Sequence, residues 1–193
     1  LIIHDPRLPA EQRGRRVKKL VVSQDVAPTI LALCGIVAPG TMQGRSLRPL
    51  LREEQVQWRT DFFCESLILL QDYPIIQGVR SADWKYIRYW PNRETPEDYR
   101  ELLNLGLDGE SPAHEELFHI AADPLEQSNL AAEPEQAARL EAMRARCFEL
   151  LREARGDPQA LPTIAVAEWA NETPGGWKDV LPLLSKRNAA KGE

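Results

Sequence analysis

Hydrophobic residues fall along this chain in three kinds of run, and each kind predicts a different element. Leu20-Val21-Val22 is a short β-branched run of the sort a buried strand requires. Apolar positions then continue almost without a polar face from Val26 to Cys34, which predicts a helix. Ser23 and Asp25 offer side-chain oxygens to its free N–H groups, Pro28 sits in the first turn where no bond is lost, and Gly35 ends it. Ser46-Leu47-Arg48-Pro49 repeats the arrangement at a second, shorter helix. Leu1-Ile2-Ile3 reads as a strand cut at its beginning, so the chain is expected to be a piece of something longer.

After position 51 the pattern changes. Residues 61–65, 75–80, 85–90 and 116–120 are short segments rich in aromatic and β-branched side chains, the signature of strands. Ser81-Ala82-Asp83-Trp84 between the middle two predicts a tight hairpin in which Asp83 bonds its own backbone. A polar insertion between Pro91 and His114, with three prolines and two glycines, reads as a long loop. Pro134 opens a helix to about Arg155 whose apolar stripe is Leu140, Met143, Cys147, Leu150 or Leu151, and Ala154. These elements predict the edge of a helix-covered α/β sheet over residues 1–51, then a small α+β layer over 52–155, a four-stranded antiparallel sheet with a packed C-terminal helix. Residues 156–193 carry four prolines and two tryptophans and read as an extended arm, with a short helix near 165–170 and a disordered basic end.

Composition narrows the range of partners. The 193 residues are 43% hydrophobic, enough for a core, and the formal charge of −5 argues against nucleic acid or an anionic membrane. The basic run Arg13, Arg15, Arg16, Lys18 and Lys19 has no interleaved aromatics for base stacking and reads as a solvated loop. No run approaches the length of a membrane span. Cys34, Cys64 and Cys147 cannot all pair, form no C-x-x-C, and read as buried thiols, which leaves the compartment undecided.

Several blocks resemble those of one family. Asp25-Val26-Ala27-Pro28-Thr29, Gly35-Ile36 and Met42-Gln43-Gly44-Arg45-Ser46-Leu47 are similar to the D-x-A-P-T, G-I and Q-G-x-S-L series of the sulfatases, in the alkaline phosphatase superfamily. Val79, Arg80, Lys85 and Tyr86 match the V-R-x-x-x-x-K-Y pattern of the sulfatase C-terminal subdomain. Glu116-Leu117-Phe118-His119-Ile120, Asp123-Pro124-Leu125-Glu126 and Asn129-Leu130-Ala131 resemble the E-L-Y-D-L and D-P-x-E-x-x-N-L-A signature, with His119 in place of the usual aspartate. Asp123 and Asn129 are turn formers and Glu126 can bond the loop backbone, so this last block is read as fixing the fold.

The resemblance implies an alkaline phosphatase-like catalytic domain ending near position 51, and hydrolysis of sulfate esters, on sulfated carbohydrates, with formylglycine and calcium. The catalytic parts themselves are not in the sequence. No cysteine or serine begins a C/S-x-P-x-R motif, no Asp-Asp pair anchors a divalent ion, and His4, His114 and His119 lack metal-ligand spacing. Hydrolysis needs an activated nucleophile and concentrated positive charge, so the chain alone is expected to be inert, with no catalytic or metal-binding residue of its own and the N-terminal catalytic portion as its partner. Substrate contact is the role left to it. Arg80, Trp84 and Lys85 are the candidates, together with the Pro91 to His114 insertion, since Arg and Lys suit anionic sugars; a solvated hairpin is the plainer reading of the two cations. Two alternatives stand beside this one: a phosphodiesterase or phosphonate monoester hydrolase of the same superfamily, and a non-catalytic interaction module.

Overall fold

A computed structural model of the protein describes residues 1–67, 74–91 and 100–156. The arm expected over 156–193, with its helix near 165–170, lies outside the described residues apart from Gly156, as does part of the insertion, 92–99.

The expected sheet is present. Strands β1 (Asp61–Ser66), β2 (Ile75–Ser81), β3 (Trp84–Trp90) and β4 (His114–His119) pair in sequence order and make a four-stranded antiparallel sheet. Alternation decides its faces: Ile75, Gln77 and Val79 on β2 and Tyr86, Arg88 and Trp90 on β3 are buried, as period-two strands with one covered face require. The hairpin turn is closed by Ser81 rather than by Asp83. The Ser81 hydroxyl accepts from the Trp84 N–H at 3.0 Å and donates to the Trp84 carbonyl at 3.2 Å.

The chain forms two compact units, one of residues 1–62, 80–85 and 119–127, the other of residues 63–79, 86–118 and 128–193. In the second, helix α4 (Ala137–Arg155) follows a single 3-10 turn at Pro134–Gln136 and buries Leu140, Met143, Cys147 and Leu151. Arg155 takes the last place on that stripe, where Ala154 was expected. Its guanidinium makes a bidentate pair with Glu65 on β1 and donates to the Leu103 carbonyl. About three turns earlier, near the middle of α4, Arg144 pairs with Glu115 on β4, which also accepts from the Tyr86 hydroxyl at 2.5 Å. Two ion pairs to different strands thus hold the helix along the sheet. The insertion is less loop-like than its composition suggests: α3 (Arg100–Leu103) makes one helical turn, and Leu102 and Leu105 join Ile75 and Trp90 in a buried apolar cluster. Among so many polar and breaker residues, two leucines three apart are enough to fold the segment back.

The first unit is built around α1 (Val26–Leu33) and the short α2 (Arg48–Leu51). Neither Leu1-Ile2-Ile3 nor Leu20-Val21-Val22 forms a strand, because a strand needs a neighbour for its hydrogen bonds and no described element offers one. Instead the Leu20 carbonyl accepts from the Trp58 indole N–H at 2.7 Å. Asp25, fully buried, does not cap α1 as expected but ties the unit together. Its carboxylate accepts from the N–H of Val22 (2.9 Å) and of Arg45 (2.8 Å) and makes a bidentate pair with Arg59. Thr29 continues the network, donating to the Asp25 carbonyl at 2.5 Å and accepting from the Leu47 N–H at 2.8 Å. Gly44 is required beside it, since a Cβ there would stand 2.0 Å from the Gln24 carbonyl oxygen. The three cysteines divide: Cys147 is buried as expected, but Cys34, at the C-terminal cap of α1, and Cys64, on β1, are exposed.

Candidate functional site

The three candidate residues all lie at the closed end of the β2–β3 hairpin, within the first compact unit. A two-residue turn between Ser81 and Trp84 places Arg80 directly opposite Lys85, with both side chains on the sheet face opposite to that of Val79 and Tyr86. Trp84 projects to the other side. The structure therefore brings two of the three candidates together and separates the third.

Each candidate meets a different environment. Arg80 is half-buried and has no ion-pair partner among the described residues. Lys85 pairs with Glu126, Nζ to Oε2 at 2.5 Å, both side chains being 27% exposed. Trp84 stacks on His119, ring centroids 4.3 Å apart and planes within 4°. His119 and Glu126 were not legible as neighbours of the hairpin, because they follow Trp84 and Lys85 by 35 and 41 positions and no periodicity spans that distance. The one available signal was the joint presence of the K-Y and D-P-x-E blocks.

The loop that supplies both residues is built of successive turns. The His119 carbonyl accepts from the N–H groups of Ala122 (3.0 Å) and Asp123 (2.8 Å), and the Asp123 carbonyl accepts from the Glu126 N–H at 3.1 Å. Asp123 also accepts, through its carboxylate, from the Gln127 N–H at 2.7 Å, and Asn129 in the second unit accepts from the N–H of Leu117 and of Ala131. These are the fold-fixing roles expected of Asp123 and Asn129. Glu126 differs from expectation, since its side chain reaches Lys85 rather than the loop backbone; its φ of 53° lies in the left-handed region that non-glycine residues seldom occupy.

Chemically this end of the hairpin offers a guanidinium, an ammonium already neutralised, and an indole with an imidazole against one face. That set suits non-covalent recognition of an anionic sugar. It does not suit bond cleavage. Formylglycine finds no fitting cysteine in this chain, since Cys34, Cys64 and Cys147 are followed by Gly-Ile-Val, Glu-Ser-Leu and Phe-Glu-Leu, and calcium finds no fitting site among the described residues, where no three His, Cys, Asp or Glu converge.

Comparison with known proteins agrees with the motifs. Residues 2–111 match the family model described as N-sulphoglucosamine sulphohydrolase, C-terminal. A delta 4,5-hexuronate-2-O-sulfatase of Bacteroides thetaiotaomicron is 28% identical over 153 residues, 78% of this chain and 28% of that protein. The solved structure of a 2-O GAG sulfatase superposes with a TM-score of 0.52 at 27% identity over 78% of this chain and 28% of the other. The phosphonate monoester hydrolase of Agrobacterium radiobacter shares the fold, with a TM-score of 0.54 at 20% identity over 86% of this chain and 30% of that one. The chain thus spans about three-tenths of the length of the relatives it matches. With the D-x-A-P-T and Q-G-x-S-L blocks in the helical first unit and the V-R-x-x-x-x-K-Y block in the hairpin of the four-stranded sheet, the chain belongs to the sulfatase family, in the region that the family model describes as C-terminal.

Proposed function

We propose that this chain is the C-terminal part of a sulfatase that hydrolyses sulfate esters of carbohydrates, and that its own contribution is to hold and select substrate. The single observation that carries the reading is the family match over residues 2–111. The sugar-directed name of the hexuronate-2-O-sulfatase relative supports the substrate class. In this reading residues 1–51 complete the catalytic domain, 52–155 form the C-terminal subdomain and 156–193 are its tail. Arg80 and Lys85 face the sulfated glycan from one side of the hairpin, Trp84 is left as a contact on the other side, and the formylglycine, the calcium ion and the sulfate cradle belong to the N-terminal catalytic portion.

The first unit supports a missing catalytic partner. Helix α1 is apolar nearly all round, yet Val26 and Ile30, one turn apart, are exposed, and Ile30 is open over 56% of its surface. A helix without a polar face is a core helix, and here much of its core is not supplied by the described residues. A face of the catalytic domain would cover it.

The phosphonate monoester hydrolase reading rests on shared fold alone and is the second choice. One experiment separates the two. The complete reading frame is read for a C/S-x-P-x-R motif and paired aspartates, and the full-length product and the 193-residue chain are each assayed on sulfated sugars and on a phosphonate monoester. Sulfate release by the full-length enzyme and none by the chain is the expected result. Preferential P–O cleavage, or turnover by the purified chain itself, would overturn the proposal.

A further inference from the structure

We infer that Glu126 is a specificity-determining residue of the hairpin site: by neutralising Lys85 it leaves Arg80, among the described residues, as the uncompensated cation on that face, and so tunes the hairpin to a single anionic group of a glycan instead of two adjacent ones. The inference rests on the reading of Arg80 and Lys85 as substrate contacts and assigns Glu126 a role beyond it.

The argument begins with register. Arg80 and Lys85 are directly opposite on one face of an antiparallel pair, where Cβ atoms lie roughly 4.5–5.5 Å apart and like charges repel. Two carboxylates would cancel that repulsion inside the protein, but among the described residues Glu126 alone pairs with either cation. Glu126 reaches Lys85, and Arg80 keeps its charge. The carboxylate is delivered by a specific backbone state, a glutamate at φ 53° in a loop pinned by the His119 and Asp123 carbonyls, so its position is set by the fold and not by side-chain chance. The surrounding unit reinforces the sign. Although the whole chain is net negative, this unit carries twelve Lys and Arg against nine Asp and Glu, while the other carries twelve against twenty. An anionic ligand is therefore favoured on the unit that holds the hairpin, and the number of anionic groups that the hairpin takes is decided by whether Lys85 is free.

The test measures binding and needs no hydrolysis. The 193-residue chain, Glu126→Gln, Arg80→Gln and the double variant Glu126→Gln with Lys85→Met are titrated with a heparin-derived polysulfated oligosaccharide and with a monosulfated monosaccharide. Glu126→Gln is expected to bind the polysulfated probe roughly fivefold tighter at low salt, with a log–log salt dependence steeper by about 0.7–0.9 for the added cation, and to change little on the monosulfated probe. Adding Lys85→Met should abolish the gain, and Arg80→Gln should weaken both probes. Glu126→Asn, which tolerates the left-handed backbone, repeats the experiment if Glu126→Gln melts early. Equal affinity of Glu126→Gln and the parent chain, or a gain that survives Lys85→Met, overturns the inference, since a merely structural glutamate would lower stability without raising affinity. If no variant binds either probe, the inference also falls, whereas sulfate release by the full-length enzyme would leave the sulfatase reading standing.

Discussion

Asp25 and Arg59, thirty-four residues apart, meet in a bidentate ion pair in which the carboxylate is fully buried and also accepts the N–H groups of Val22 and Arg45. Burial alone would raise the Asp25 pKa, but the guanidinium and the two backbone donors outweigh it and hold the carboxyl below its ordinary value of 3.8. The pair joins the start of α1 to the segment that leads into β1, so a local motif residue acts at long range.

Replacing Asp25 by Asn should therefore cost about 3–5 kcal/mol at neutral pH, the usual penalty for stranding one partner of a buried pair. A carboxyl with a lowered folded pKa stabilises the fold above its unfolded pKa and loses that contribution as pH falls through the folded value. The stability gap between the parent chain and Asp25→Asn should thus be full near pH 7 and narrow only below about pH 3.8. Urea denaturation at several pH values reads both effects; a gap independent of pH would refute the assignment.

Gly106 is a second site where the fold leaves one choice. At φ +86° a Cβ would stand 2.5 Å from Arg88 Nη2 and 2.8 Å from Trp90 Cζ2. Gly109, at φ +81°, has nothing within 4 Å. Gly109→Ala should cost only the backbone strain, about 1–2 kcal/mol, and Gly106→Ala clearly more, because Gln77, Arg88 and Trp90 share one hydrogen-bond cluster there. Comparable melting temperatures for the two variants would contradict this.

Thiol chemistry should count two plus one. Cys34 and Cys64 are exposed, whereas burial pushes the Cys147 thiol up to about 11. At pH 8 Ellman's reagent should titrate two thiols in the native chain and the third only after unfolding in guanidinium. Three fast thiols would place Cys147 outside the packed face of α4.

The exposed side of α1 predicts a dissociation between stability and assembly. Ile30→Lys should change the stability of the 193-residue chain by no more than about 0.5 kcal/mol, as for a surface position. If the catalytic domain covers this side of α1 as proposed, the same substitution in the full-length protein should cut soluble yield and the proposed sulfate-ester hydrolysis together. Unchanged yield and activity would remove α1 from the interface.

What the sequence determined by itself was whatever depends on local spacing. Runs rich in aromatic and β-branched side chains marked the four strands within two residues of their observed ends, and the apolar stripe placed α4, because both signals are written in neighbouring positions. The D-x-A-P-T and D-P-x-E blocks identified the family in the same way. Only the tertiary structure decided what those residues touch. Asp25 turned from an expected cap into the partner of Arg59, the apolar runs at Leu1 and Leu20 formed no strand for want of a neighbour, and two leucines of a polar insertion entered the core. At the hairpin, sequence named Arg80, Trp84 and Lys85, and the fold added His119 and Glu126. The physical reason is common to all of these: hydrogen bonds and ion pairs between residues tens of positions apart depend on where the backbone brings them, and periodicity carries no record of that distance.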